Sequence, residues 1–226
     1  MAELAFKDLC FDANRPEVVG PFWARLLGRR WEAFEDGDGR LAGDAPAETI
    51  WVNRVPEPQD VKNRMHVDVR LPDPTAVEGA TVVREPDDEI AWRVLADPDG
   101  LQLCVMGPRE GAPPGLFEVV VDSADPAAVA GWWADRFVVA VQRREGAPFV
   151  WLEGVPGFPY GYWVFTAVPE PKAVKNRVHW DVTLTGTTVQ GLVGAGASLL
   201  RARDEEIRWD VLADPEGNEF CAFAPE

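Results

Sequence analysis

Two histidines are present in 226 residues, and both stand in the same phrase. His66 follows Lys62-Asn63-Arg64-Met65 and precedes Asp68 and Arg70; His179 follows Lys175-Asn176-Arg177-Val178 and precedes Asp181 and Thr183. An imidazole titrates near neutrality and can hold a proton, a metal or a hydrogen bond on a ring nitrogen. Met65, Val67, Val69 and Leu71 alternate with His66, Asp68 and Arg70, so the phrase reads as a strand with one polar face. An aspartate two residues on shares that face and can orient the ring or help hold what the ring holds. The row supports three roles: metal ligand, polar contact for a small ligand, or hydrogen bonding to a neighbouring strand.

The phrase belongs to a longer repeat. Val55-Pro-Glu-Pro leads into the first copy and Val168-Pro-Glu-Pro into the second, while Glu89-Ile-Ala-Trp92 to Gly100 returns as Glu206-Ile-Arg-Trp209 to Gly217. Asp12 to Trp23 returns more faintly as Asp122 to Trp133. So long a period is a duplicated domain rather than a solenoid. Copy one spans 1–110 and copy two 111–226, joined through the turn-rich stretch 106–114. Within copy one, strands are expected near 4–12, 30–35, 48–55, 66–71, 81–85, 90–95 and 101–106. Helices are expected at 16–27, between Pro16 and Gly28, and in a short form ending at Gly79-Ala80. Asp97-Pro98-Asp99-Gly100 reads as a hairpin turn. The order is β-α-β-β-β twice per copy, and the second copy places its later helix at 186–194.

The net charge of −16, from 38 acidic and 22 basic residues, repels phosphate backbones and anionic membranes. Neither nucleic acid nor a membrane is therefore an expected partner. No apolar run approaches the ~18 residues that span a bilayer, and the start of the chain does not read as a secretory leader. Three cysteines, Cys10, Cys104 and Cys221, do not make a disulfide framework, so the reducing cytoplasm is the expected compartment.

The element order, together with Phe22-Trp23-Ala-Arg-Leu-Leu-Gly28, Lys-Asn-Arg-x-His and Leu-Ala-Asp-Pro-x-Gly-x-x-x-Cys, resembles the glyoxalase/bleomycin-resistance/dioxygenase superfamily, and most of all its glyoxalase-like domain branch. The resemblance covers nearly the whole chain. It implies an α+β fold of tandem vicinal oxygen chelate domains, each two βαβββ modules whose sheets curve around a cavity, with cavities built by the two copies together. A monomer is expected, because the pair that single-domain relatives form by dimerising is fused here. The resemblance also implies metal ligands on the first and last strands of a module. His66 takes the first-strand position, seven residues before Asp73 at the expected helix start, and His179 is its repeat mate. Glu219 takes the last-strand position in copy two and Gln102 in copy one. The matching first-strand positions of the other modules are Ala5 and Gly115, which cannot coordinate. His179 and Glu219 are thus the candidate catalytic and metal-ligating pair, for Zn, Fe, Ni or Mn.

Ten tryptophans suit a planar ligand. Helical Trp23, Trp132 and Trp133, with Trp92 and Trp209, are expected in the core. Trp51, Trp151, Tyr160, Tyr162, Trp163 and Phe165 are expected near the cavity, with the loop between Phe149 and Phe165 as a rim or lid. The candidate ligand contacts are His66, Asp68, Arg70, Gln102, Asp181, Trp51, Trp163 and Tyr162. Parity puts Gln102, Cys104 and Met106, and likewise Glu219, Cys221 and Phe223, on the cavity side of the last strands. Two functions follow from the resemblance: binding or sequestering a small apolar, aromatic or cationic molecule, or metal-dependent lyase, isomerase or dioxygenase chemistry. A third is metal-free general-base catalysis by His179 or Glu219.

Overall fold

The computed structural model describes residues 1–59 and 61–225. Copy one contributes β1 (Leu4–Ala13), α1 (Pro16–Leu27), β2 (Arg30–Ala33), β3 (Gly39–Ala42) and β4 (Ile50–Arg54), then β5 (Met65–Arg70), β6 (Thr81–Arg84), β7 (Arg93–Ala96) and β8 (Gln102–Met106). Copy two contributes β9 (Gly115–Ser123), α2 (Pro126–Phe137), β10 (Val141–Arg143), β11 (Phe149–Leu152) and β12 (Tyr162–Ala167). It ends with β13 (Val178–Leu184), α3 (Val189–Gly194), β14 (Ser198–Arg201), β15 (Asp210–Ala213) and β16 (Glu219–Phe223).

Two eight-stranded mixed sheets result, and the fold is α+β. Sheet one runs β14-β15-β16-β13-β1-β4-β3-β2; sheet two runs β10-β11-β12-β9-β5-β8-β7-β6. Each sheet therefore joins one module of copy one to one module of copy two, through the antiparallel pairs β1·β13 and β9·β5. The basic residues of the repeated phrase stitch this exchange. Arg177 Nη2 donates to the Glu57 carbonyl at 2.7 Å, and Arg64 donates to that of Glu170. Lys62 pairs with Asp122 at 2.7 Å and Lys175 with Asp12, again across copies.

Among the described residues three α-helices are found where four were expected, besides a single 3-10 turn at Pro46–Glu48. The short helix before Gly79 is absent: 71–80 is an irregular loop. Pro72 and Pro74 deny it backbone donors, and Asp73 turns the chain by accepting from the amide and hydroxyl of Thr75 at 2.8 and 2.6 Å. The two long helices start as expected, whereas α3 begins at Val189 rather than 186, where the Thr188 hydroxyl caps it on the Gly191 amide at 3.1 Å. Pro16 and Pro126 occupy the first turns of α1 and α2, and the Asp125 carboxylate caps α2 on the Ala128 amide at 3.0 Å. Gly28 ends α1 at φ 65°, in the left-handed region.

The repeated Asp-Pro turns have a second task. Trp23 Nε1 donates to Asp97 Oδ2 at 2.9 Å and Trp133 Nε1 to Asp214 Oδ2 at 3.1 Å, so each helix of one sheet's module is tied to a turn of the other sheet. Leu9, Phe11, Val178, Trp180 and Val182 point from sheet one into a single apolar core shared with sheet two, α1 and α2. Trp163 of sheet two meets Trp180 of sheet one edge-on, ring centroids 4.7 Å apart, with Trp133 of α2 against both. The opposite, polar faces of the two sheets point away from this core.

The loop between β11 and β12 packs into the core rather than over a cavity as a lid, and its end, Pro159 and Tyr160, forms part of the rim of a cavity of about 550 Å³ with Arg29, Gly43 and Leu116. Phe158 and Tyr160 pack on Phe6, and the Phe6 amide donates to the Pro156 carbonyl at 2.7 Å. Gly157 permits the approach: its φ is 80°, and a Cβ there would lie 2.3 Å from the Phe6 carbonyl oxygen.

Candidate functional site

Alternation along β1 places Leu9, Phe11 and Ala13 in the core and Asp8, Cys10 and Asp12 on the polar face. A bulge at Lys7 sets this register: Phe6 opposes Val182, yet Asp8 opposes the very next residue, Asp181. Cys10 then lies directly across from His179, and Asp181 also opposes Cys221 of β16. The donor atoms of Cys10, His179 and Asp181 lie within 4.8 Å of one another. Ala5, the first-strand position that the resemblance implies for a ligand, opposes Thr183 instead.

Asp8, Asp12 and Asp181 are all buried on this face. Asp8 is paired with Lys7, and Asp12 with Lys175. Asp181 makes no ion pair among the described residues, and its Oδ1 is buried without a hydrogen-bond partner. Burial pushes its carboxyl up to about 6, with His179 pulling the other way and Asp8 adding to the rise. Burial, followed by the charge of Asp181, also pushes the Cys10 and Cys221 thiols upward.

Sheet two repeats the layout with different residues. A bulge at Phe117 matches the one at Lys7, and Asp68 opposes Glu118 and Cys104 while His66 opposes Val120. His66 Nε2 lies 3.4 Å from Asp68 Oδ1, and these two form a second donor group with Cys104. The Glu118 carboxyl is pushed up to about 8, first by burial and then by Asp68. Arg70 is buried with its guanidinium 4.0 Å from the Phe117 ring centre, and Gln102 is half-buried on β8.

Glu219 does reach the polar face, but both oxygens are engaged: Lys172 Nζ lies 2.7 Å from one, and the Asn176 amide donates to the other at 3.1 Å. The metal-ligand pair implied for His179 and Glu219 therefore does not fit, since Glu219 serves the 172–176 loop. The donors grouped with His179 are Cys10 and Asp181.

The aromatic expectations divide along the strand. Trp163 is corrected to the core: it is 1% exposed, packed on Phe158, Trp133 and Trp180. Phe165 and Tyr160 are buried too. Tyr162, one residue away and on the opposite pleat, is 39% exposed. Trp51 is half-buried beside Phe34 and Arg40. Trp209, expected in the core, is half-buried and stacks on Phe223 with centroids 5.3 Å apart. Beside it lies a cavity of about 280 Å³ lined by Lys7, Asp8, Pro46, Thr183, Phe223 and Ala224. The residues missed from sequence are Cys10, Asp8 and Glu118. The alternation Asp8-Leu9-Cys10-Phe11-Asp12 was the available signal for the first two.

The glyoxalase-like domain family matches the chain twice, over residues 8–106 and 118–223. No curated protein matches. Among solved structures, a point mutant of glyoxalase I from Zea mays has a TM-score of 0.69 at 12% identity, covering 98% of this chain and 94% of that one. Glyoxalase I from Zea mays itself has a TM-score of 0.65 at 12% identity, covering 97% and 92%. The cppA protein from Streptococcus pneumoniae has a TM-score of 0.53 at 9% identity, covering 99% and 100%. At such identities the likeness is one of fold alone.

Proposed function

The chain belongs to the glyoxalase-like domain family, and we propose that it binds a small molecule with a planar apolar part and a hydrogen-bonding or cationic part on the polar face of sheet one. The observation that carries this reading is the cavity lined by Lys7, Asp8, Pro46, Thr183, Phe223 and Ala224, in which Phe223 is backed by its stack on Trp209 and Asp8 stands across the strand pair from Asp181. A Phe223 ring beside Asp8, whose charge is shared with the Lys7 ammonium 4.6 Å over that ring, suits a flat molecule bearing hydrogen-bonding groups or a cation that replaces the lysine. About 280 Å³ is at the small end for ligand pockets, so the occupant is small. A cytoplasmic monomer goes with the reading, since each sheet already contains both partners of the fused pair.

A second reading is enzymatic. His179 and Asp181, on one face and with the carboxyl raised to about 6, form an acid–base pair that could move a proton on a bound substrate.

Fluorescence anisotropy of acridine orange, a planar cation, tests the first reading. The dye is expected to bind, to lose its affinity when Trp209 and Phe223 are both changed to Ala, and to keep it in Tyr162→Ala. Absence of binding, or equal binding by all three proteins, overturns the assignment of this cavity.

A further inference from the structure

We infer that sheet one holds a divalent metal ion through Cys10 Sγ, the His179 imidazole and the Asp181 carboxylate, a donor set different from the first-strand and last-strand pair that the family resemblance implies. The inference rests on the reading of sheet one as the binding face and adds a group to it.

Charge accounting on that face is the starting point. Three carboxylates are buried there, and two have lysine partners, Lys7 for Asp8 and Lys175 for Asp12. Asp181 has none among the described residues, and its Oδ1 is out of reach of solvent and unpaired. A buried carboxylate without a partner is costly unless something cationic, or a proton, accompanies it. The second observation is chemical: the groups gathered with Asp181 are donors, and Lys7, the cation whose charge reaches it, is paired with Asp8. A thiol stands across the strand pair, an imidazole stands two residues along, and the ligand atoms of all three are within 4.8 Å of each other. A second thiol, Cys221, opposes Asp181 on the other side.

Sulfur, nitrogen and carboxylate oxygen together suit a borderline-soft ion such as Zn²⁺, or Co²⁺ as its spectroscopic substitute. Such an ion would displace the thiol proton on binding, and its charge would reverse the local penalty on thiolate and carboxylate. Three protein donors leave a position open, and Asp8, across from Asp181, connects the cluster to the 280 Å³ cavity. The register leaves Ala5 opposite Thr183, and the bulge at Lys7 brings Cys10, rather than the apolar Leu9, opposite His179.

The test is a titration of the full-length protein, freed of metal with a chelator, by Co²⁺ under reducing conditions. Near-ultraviolet thiolate-to-cobalt absorption should saturate at one equivalent and be reversed by Zn²⁺. Cys10→Ala should abolish the band, and Asp181→Asn should weaken Co²⁺ binding on the order of 100-fold, by analogy with the loss of supporting contacts at metal sites. Cys104→Ala, on sheet two, should leave the band unchanged. Absence of a thiolate band in the parent protein overturns the site and assigns Asp181 a proton instead. A band that survives Cys10→Ala, or disappears in Cys104→Ala, overturns the donor set. Circular dichroism confirms that each variant is folded, and the milder Cys10→Ser repeats the test if the alanine variant is not. Acridine orange binding without a cobalt band would overturn the metal site while leaving the binding face intact; a band without dye binding would do the reverse.

Discussion

The polar faces of the two sheets are built to one plan and neutralise their buried acids by different means. On sheet two, Asp68 has His66 at 3.4 Å and faces Glu118, whose carboxyl stays protonated up to about pH 8, so the acid pair can share a proton. On sheet one, the residue facing Asp181 is Asp8, already claimed by Lys7, and the place of Val120 is taken by Cys10. A second exchange runs the other way. Lys172 and Glu219 form an ion pair on sheet one, while their repeat counterparts on sheet two, Gln59 and Gln102, are neutral. Substitution at both members of that pair identifies Glu219 as the partner of a lysine. Duplication thus preserved the scaffold and a thiol–imidazole–carboxylate group on each face, each with one buried, unpartnered aspartate oxygen, and left the residue facing that aspartate to diverge: Glu118 on sheet two, lysine-paired Asp8 on sheet one.

The comparison assumes that the faces back onto a common core. Trp163→Ala should therefore cost about 3–5 kcal/mol in a denaturant titration, as truncation of a core tryptophan does. A cost below about 1 kcal/mol would detach the tryptophan from the core and restore it to the cavity. Next comes the contrast between Lys172–Glu219 and Gln59–Gln102. Lys172→Gln alone should cost about 2–3 kcal/mol, because it strands a largely buried carboxylate, and Glu219→Gln added to it should recover most of the loss. Additive losses would contradict the pairing.

Glu118 gives a pH-dependent test. Its carboxyl titrates at about 8 in the folded chain and near the ordinary 4.5 when unfolded, so between these values the folded state holds the extra proton. Stability should be fullest below about pH 4.5 and fall as pH rises through 8. Glu118→Gln should flatten that slope and gain about 1–2 kcal/mol at pH 9, partial exposure of the carboxyl keeping the figure modest. An unchanged slope in urea melts at pH 5, 7 and 9 would mean that sheet two does not rely on this proton. The smallest effect is expected at Tyr162→Ala, within about 0.5 kcal/mol by thermal melt, since the ring is largely in solvent.

Much of this architecture was legible in the chain. The repeat, the alternation after each histidine, the Pro16 and Gly28 helix limits and the Asp97 turn all encode local geometry, and each appears where its residues imply. The helix before Gly79 was misread because four residues are missing there relative to copy two and two prolines occupy what remains. Cys10 stayed hidden for a different reason. A bulge moves every side chain beyond it to the other pleat, and nothing in Phe6-Lys7-Asp8 marks which residue is extra. Trp163 and Tyr162 show the same limit: aromatic content was readable, but which pleat each ring takes depends on the strand paired with it. Glu219 was placed on the correct face, yet its lysine partner lies 47 positions earlier and only the fold brings them together.

Crystals grown with Zn²⁺ offer the most direct measurement, through anomalous diffraction at the zinc edge. The account predicts one strong peak per chain on sheet one, bonded to Cys10, His179 and Asp181, with none beside His66. A peak bonded to Glu219, a peak on sheet two of equal height, or none at either face would contradict it.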